Sequence, residues 1–115
     1  MATAKDFIER VSQVAGVAGC LLMRSDGMVV DQTLDDVEGY SSLLQISSGL
    51  AADIMNNTGF SHCRYLNFQR INDQNFYIFP IDQYLLGIVQ QADCSVNEML
   101  DQVFNLIDKV STSRG

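Results

Sequence analysis

Few side chains in this sequence are equipped for chemistry. His62 is the only histidine, so one copy of the chain cannot assemble a multi-histidine metal site. It stands beside Cys63, and a thiol–imidazole nucleophile pair needs those two side chains to meet. Neighbours in a strand point to opposite faces, so the expectation is an ordinary edge histidine and a packed thiol. Asp31, Asp35, Asp36 and Glu38 offer oxygens to a cation but lack the spacing of a calcium loop. They read as a solvated acidic loop. Arg64 and Arg70 have the chemistry to present a charge to a phosphate on another molecule, yet their polar surroundings read as a solvated strand edge. No C-x-x-C, H-E-x-x-H, G-x-G-x-x-G or P-loop lysine pattern occurs. The sequence therefore predicts no catalytic residue, no metal and no cofactor. Whatever the protein does, it does with surfaces.

Composition narrows the partners. The 115 residues fit one domain, 1–115, and a hydrophobic content of 47% supports a real core. The net charge is −7. An acidic chain gains nothing from releasing phosphate counterions, so nucleic acid is not an expected partner, nor is an anionic membrane surface. No apolar run approaches the roughly 20 residues of a membrane span. The opening MATAKDFIER has no apolar signal-peptide region. Ala2 replaces the glycine that myristoylation needs, and the closing SerThrSerArgGly is no prenylation box. Three widely spaced cysteines, Cys20, Cys63 and Cys94, fit reduced thiols in the cytoplasm better than a disulfide framework.

The elements that carry these residues follow from periodicity. A first helix is predicted over about Thr3–Ala15, with Thr3 and Asp6 as a capping-box variant, Phe7, Val11 and Val14 on one face, and Gly16 as its stop. Strand one (about Val17–Arg24) and strand two (about Met28–Thr33) flank Asp26-Gly27, a strong hairpin signal. After the acidic loop at 34–40, Ser42 with Gln45 reads as a capping box for a second helix over about Leu43–Asn57, ended by Gly59. Strand three (about His62–Arg70), strand four (about Phe76–Ile81) and strand five (about Tyr84–Gln91) follow, and Ser95 with Glu98 opens a last helix. The class is α+β, in the order α-β-β-α-β-β-β-α, because hairpins make antiparallel pairs. Strands one, four and five are apolar on both faces and must be internal; a bulge near the end of strand four would absorb Pro80. Strands two and three, which carry Asp31, Gln32, Asn67 and Gln69, are edges. Joining the hairpins through strands one and five gives the order 2-1-5-4-3, with helices 1 and 3 on one face and helix 2 on the other.

Two elements look made for company. On the second helix Leu43, Ile46, Leu50 and Ile54 line up, and Leu44, Ala51 and Met55 widen the apolar stripe to roughly half the circumference, beyond the ~100° that packing on a sheet needs. The other side offers Gln45, Ser48, Gly49, Ala52, Asp53 and Asn56, and Asp53 is the only charge between Gly39 and Ser61. Charge depletion of this kind marks interface cores. Edge strand three, about nine residues long, has no proline or lysine to protect it and carries Arg64, Tyr65, Leu66, Asn67 and Phe68. Pairing of two such edges across a two-fold axis would bring the second helices together as well.

The entry Gly16, Val17, Gly19, the hairpin residues Asp26 and Gly27, and the strand-five run TyrLeuLeuGlyIleVal at 84–89 resemble the Roadblock/dynein light chain family, and the element order matches from about Lys5 to Val110. As a short chain it resembles the stand-alone bacterial members of the MglB type. The resemblance implies dimers joined through strand three and helix two. It also implies a platform for Ras-like small GTPases, one that stimulates hydrolysis by reshaping the GTPase without having to insert an arginine. The expectation is a cytoplasmic, non-enzymatic homodimer that regulates such a GTPase. Arg64 to Phe68 with Leu43, Ile46, Leu50 and Ile54 would form the dimer interface. Gln45, Ser48, Gly49, Ala52, Asp53 and Asn56 would face the GTPase. Two rivals stand beside this reading. One is a light-chain-like adaptor that leaves GTP turnover alone. The other is a PAS-type small-molecule sensor, which shares the strand order but normally walls a pocket with several short helices where this chain has one.

Overall fold

Residues 4–24, 26–34, 37–59, 64–69, 75–81, 83–91 and 95–113 are described by a computed structural model. The chain runs α1 (Ala4–Ser12), β1 (Val17–Arg24), β2 (Val29–Gln32), α2 (Val37–Thr58), β3 (Leu66–Phe68), β4 (Phe76–Ile81), β5 (Tyr84–Gln90) and α3 (Val96–Ser113). The five strands form one antiparallel sheet in the order β2-β1-β5-β4-β3. The predicted class, order and layering therefore hold.

Strand alternation sends two sets of side chains to two faces. Cys20, Leu22, Tyr77, Phe79, Ile81, Leu86 and Ile88 form one core with Phe7, Ile8 and Val11 of α1 and Met99 and Val103 of α3. Leu21, Met23, Phe76, Ile78, Leu85 and Val89 form the other, under Leu44 of α2. At one end of the first core the Tyr77 hydroxyl and the Asn75 carboxamide both donate to Oε1 of buried Gln90, at 2.9 and 3.3 Å, which satisfies that polar group. The β1–β2 reversal is closed by backbone bonds from Gly27 N to Arg24 O (2.9 Å) and from Arg24 N to Met28 O (2.8 Å). Gly27 has φ +99°, a value that side chains rarely adopt. Ser95 opens α3 as expected, its Oγ accepting from Glu98 N at 3.5 Å.

Several boundaries move. The first helix stops at Ser12 rather than Ala15, and tight turns carry the chain to Gly16. The second begins at Val37, six residues before the predicted Leu43, so Ser42 and Gln45 are interior residues and not a cap. Strand three is three residues long where nine were expected; Arg64, Tyr65 and Gln69 lie outside it. Paired with β4 alone, its ends have one neighbour to hold them. The register of β4 with β5 runs unbroken through Pro80, so no bulge is needed there. Pro80 is opposite position 64, beyond the end of β3, where a missing N–H costs no ladder bond. Bulges occur elsewhere. The β1–β5 register shifts between Val17 and Gly19, which turns Ala18 to solvent and Val17 into the α1–α3 core, against the simple alternation expected of strand one. The expectations for Thr3, Asp35, Asp36, His62, Cys63, Arg70 and Cys94 lie outside the described residues.

Candidate functional site

A helix of twenty-two residues normally buries a continuous stripe. Among the described side chains of α2 only Leu44, Ser47 and Ala51 are buried, with Tyr40, Leu43, Ser48 and Met55 half-buried beside them. Leu44 sits deepest because Gly87 of β5 lets it approach: a Cβ on Gly87 would stand 3.1 Å from Leu44 Cδ1 and 2.8 Å from Phe76 Cζ. The Tyr40 ring, one turn earlier, packs 4.8 Å from that of Phe76.

The wide apolar stripe is thereby split. With about 100° between successive residues, Leu44, Ser47 and Ala51 define the inward line. Ile46, Leu50 and Ile54 fall on one flank of it, and Gln45, Gly49, Ala52 and Asn56 on the other. The apolar flank is bare: Ile46, Leu50 and Ile54 are 63%, 58% and 58% exposed. The polar flank faces the β1–β2 hairpin, since a Cβ on Gly27 would collide with the Gln45 carboxamide. The apolar flank is consequently turned away from that hairpin. Beyond Ala51 every α2 residue except half-buried Met55 is exposed, Asp53 included.

β3 is an edge strand of the same sheet. Leu66, Asn67 and Phe68 pair with Ile78, Tyr77 and Phe76. Leu66 and Phe68 therefore share α2's face of the sheet. Leu66 is half-buried against its core and Phe68 is 40% exposed. Asn67 belongs to the opposite face, as does Tyr65, whose ring lies about 6 Å from those of Tyr77, Phe79 and Phe104. Arg64, read from sequence as a solvated arginine, has its guanidinium carbon 4.0 Å over the Phe104 ring, a cation–π contact. Of the predicted interface residues, the structure thus gathers Ile46, Leu50, Ile54, Leu66 and Phe68 on one side. It ties Arg64 and Tyr65 to the other face through aromatic contacts, and Leu43 partly to the core. Ser48 leans inward from the predicted GTPase-facing set.

Reactive groups are sparse here. Among the described residues no three His, Cys, Asp or Glu side chains group to hold a metal, and no helix is long and apolar enough to cross a membrane. Burial pushes the Cys20 thiol up, against a smaller downward pull from its hydrogen bond to Thr33, while the Asp31 charge adds to the rise. A thiol so held is protonated and a poor nucleophile.

A five-stranded antiparallel sheet in this order, with one long helix on one face and two on the other, is the Roadblock/LC7 fold. A Roadblock/LC7 domain from Streptomyces avermitilis matches with a TM-score of 0.78 and 12% identity, over 97% of this chain and 98% of that one. Myxococcus xanthus MglB matches with 0.78 and 12%, over 97% and 96%. A solved MglB with a tetrameric arrangement gives 0.80 and 11%, over 97% and 91%. No family model and no curated protein matches the chain. At such identities the likeness is one of fold, and at that level the resemblance read from Gly16, Val17, Gly19, Asp26 and Gly27 is met.

Proposed function

We propose that the protein is a homodimeric, non-enzymatic interaction module that binds and regulates a Ras-like small GTPase. Two copies pair β3 to β3 across a two-fold axis. The apolar flanks of their α2 helices, Ile46, Leu50 and Ile54, meet over the joined sheet. Arg64, Tyr65, Leu66, Asn67 and Phe68 line the seam, with Leu43 at its inner margin. The polar flank, with Gln45, Ser48, Gly49, Ala52, Asp53 and Asn56, is left as a sparsely charged shelf for the GTPase.

The observation that carries this reading is the presence of two unsatisfied features on one sheet face. Among the described residues, a bare row of three large aliphatic side chains on α2 shares that face with exposed Phe68 of the edge strand β3. Apolar rows on exposed helices mark contact surfaces, and a free edge is a template for another strand. The Roadblock/LC7 fold, and the association of a solved MglB in a tetrameric arrangement, support dimerisation. The GTPase follows from the family resemblance.

Light scattering tests the first half. Wild type is expected at the mass of two chains at micromolar concentration, and Phe68→Asp at the mass of one with its circular dichroism unchanged. A wild-type monomer overturns the dimer. The second half is tested by adding the protein to Ras-like proteins loaded with GTP. A changed rate of hydrolysis supports regulation. Binding without any change in turnover favours the adaptor reading.

A further inference from the structure

On the other face of the sheet, a cleft of about 330 Å³ opens between the end of α1 and the middle of α3, a volume near the lower end of ligand sites. Two cations line it, Arg10 and Lys109, with three carboxamides, Gln13, Gln102 and Asn105, over an apolar floor of Val14 and Leu106. The chain holds 14 Asp and Glu against 7 Lys and Arg, yet no carboxylate is in the lining. Glu9, Asp101 and Asp108 are on the same stretches of chain but outside it. A concave spot lined by one sign of charge concentrates counter-charge from solution. The negative pole of α1, which would oppose this, is largely occupied by its own donors: Glu9 O accepts from Ser12 Oγ, Arg10 O from Gln13 N and Val11 O from Val14 N. Lys109 is already engaged within the chain, and an ammonium with three donors can hold a second acceptor.

We propose that this cleft binds an acidic peptide segment of a partner protein. A carboxylate of the segment is held between Arg10 and Lys109. The carboxamides of Gln13, Gln102 and Asn105, each both donor and acceptor, meet its backbone, and an aliphatic neighbour covers Val14 and Leu106. A peptide suits the shape: all five polar lining residues are exposed, so the cleft lies open along the α1–α3 groove. It would admit an extended chain and would not enclose a small molecule. This surface is opposite the α2 flank and independent of the dimer and GTPase reading.

The test is a titration of the isotopically labelled full chain with acetyl-Leu-Glu-Glu-amide, following the side-chain amide signals of Gln13, Gln102 and Asn105 by NMR. Saturable shifts are expected at these three groups, weakening as salt is raised. The double variant Arg10→Gln with Lys109→Gln should bind about fivefold more weakly, given two solvent-screened charge contacts. Gln102→Ala should weaken binding without altering the charge, and light scattering should show the same oligomeric mass throughout. Equal shifts from acetyl-Leu-Gln-Gln-amide, or unchanged binding by the double variant, would overturn the proposal. So would inorganic phosphate shifting the same amides at lower concentration, which would mark a phosphate site instead.

Discussion

The two faces of the sheet are built to different standards of closure. On one, nine residues of α1 contribute three buried side chains, Phe7, Ile8 and Val11, and α3 completes the cover. On the other, the twenty-two-residue α2 buries, among its described side chains, only Leu44, Ser47 and Ala51 and leaves three large aliphatic side chains in water. Burial of apolar area is the main drive to fold, so a helix more than twice as long that buries no more is unfinished as a core element. The difference separates what holds the chain together from what the chain presents. The α1–α3 face is a closed interior, and the α2 face is half interior and half exposed apolar surface.

The comparison breaks first if the closed face is not the stability centre. Phe79 is fully buried there, with the Phe104 ring edge-on at 5.4 Å and the Tyr65 ring at 5.9 Å. Phe79→Ala should cost about 3–5 kcal/mol, read from the midpoint of urea unfolding. A loss under about 1 kcal/mol would mean that this face is loosely packed and that the contrast with α2 is false.

A smaller effect sharpens the view of how α2 is attached. Gly87→Ala puts a methyl 2.8 Å from Phe76 Cζ and 3.1 Å from Leu44 Cδ1, so the ring and the helix must give way. A cost of about 1–3 kcal/mol is expected for such overpacking. Because α2 is anchored there, hydrogen exchange should quicken in α2 before it does in β1 and β5. Uniform loss of protection would show that α2 is as firmly seated as the other helices.

Where the sequence was readable, two signals agreed. Strands β1 and β4 fall where predicted, because their apolar residues run on both faces and Gly27 marks the turn after β1. The order 2-1-5-4-3 followed from hairpin logic. The start of α2 is hidden in the sequence because Asp35, Asp36 and Glu38 suggest a loop, although acidic residues are also what a helix N-terminus favours. The Ser42–Gln45 pattern was a capping box by spacing alone. The division of the α2 stripe was out of reach for a different reason. Leu43, Leu44, Ile46 and Leu50 are equally apolar, and what selects Leu44 for the interior is Gly87, more than forty residues away, whose missing side chain makes the space. Nor does alternation foretell the bulge that exposes Ala18 and buries Val17. The low charge and aliphatic spacing of α2 are legible because they are local properties. The division of its residues between two flanks is not.

The smallest effect on the chain itself decides the comparison most directly. Leu50 and Ile54 belong to neither core cluster and are 58% exposed, so shortening them removes little buried surface. For Leu50→Ser with Ile54→Ser, the unfolding free energy measured at dilutions where wild type is monomeric should stay within about 0.5 kcal/mol per site, the usual range for surface positions. At micromolar concentration the outcome should invert. If the bare flank is where two copies meet, wild type gains stability as its concentration rises, because association favours the folded state by mass action, and the double variant does not. A loss well beyond that range at high dilution would mean the row is covered by its own chain, and α2 would then be an ordinary core helix. A flat response of wild type to concentration, with the variant matching it, would leave the row exposed for some use other than self-association.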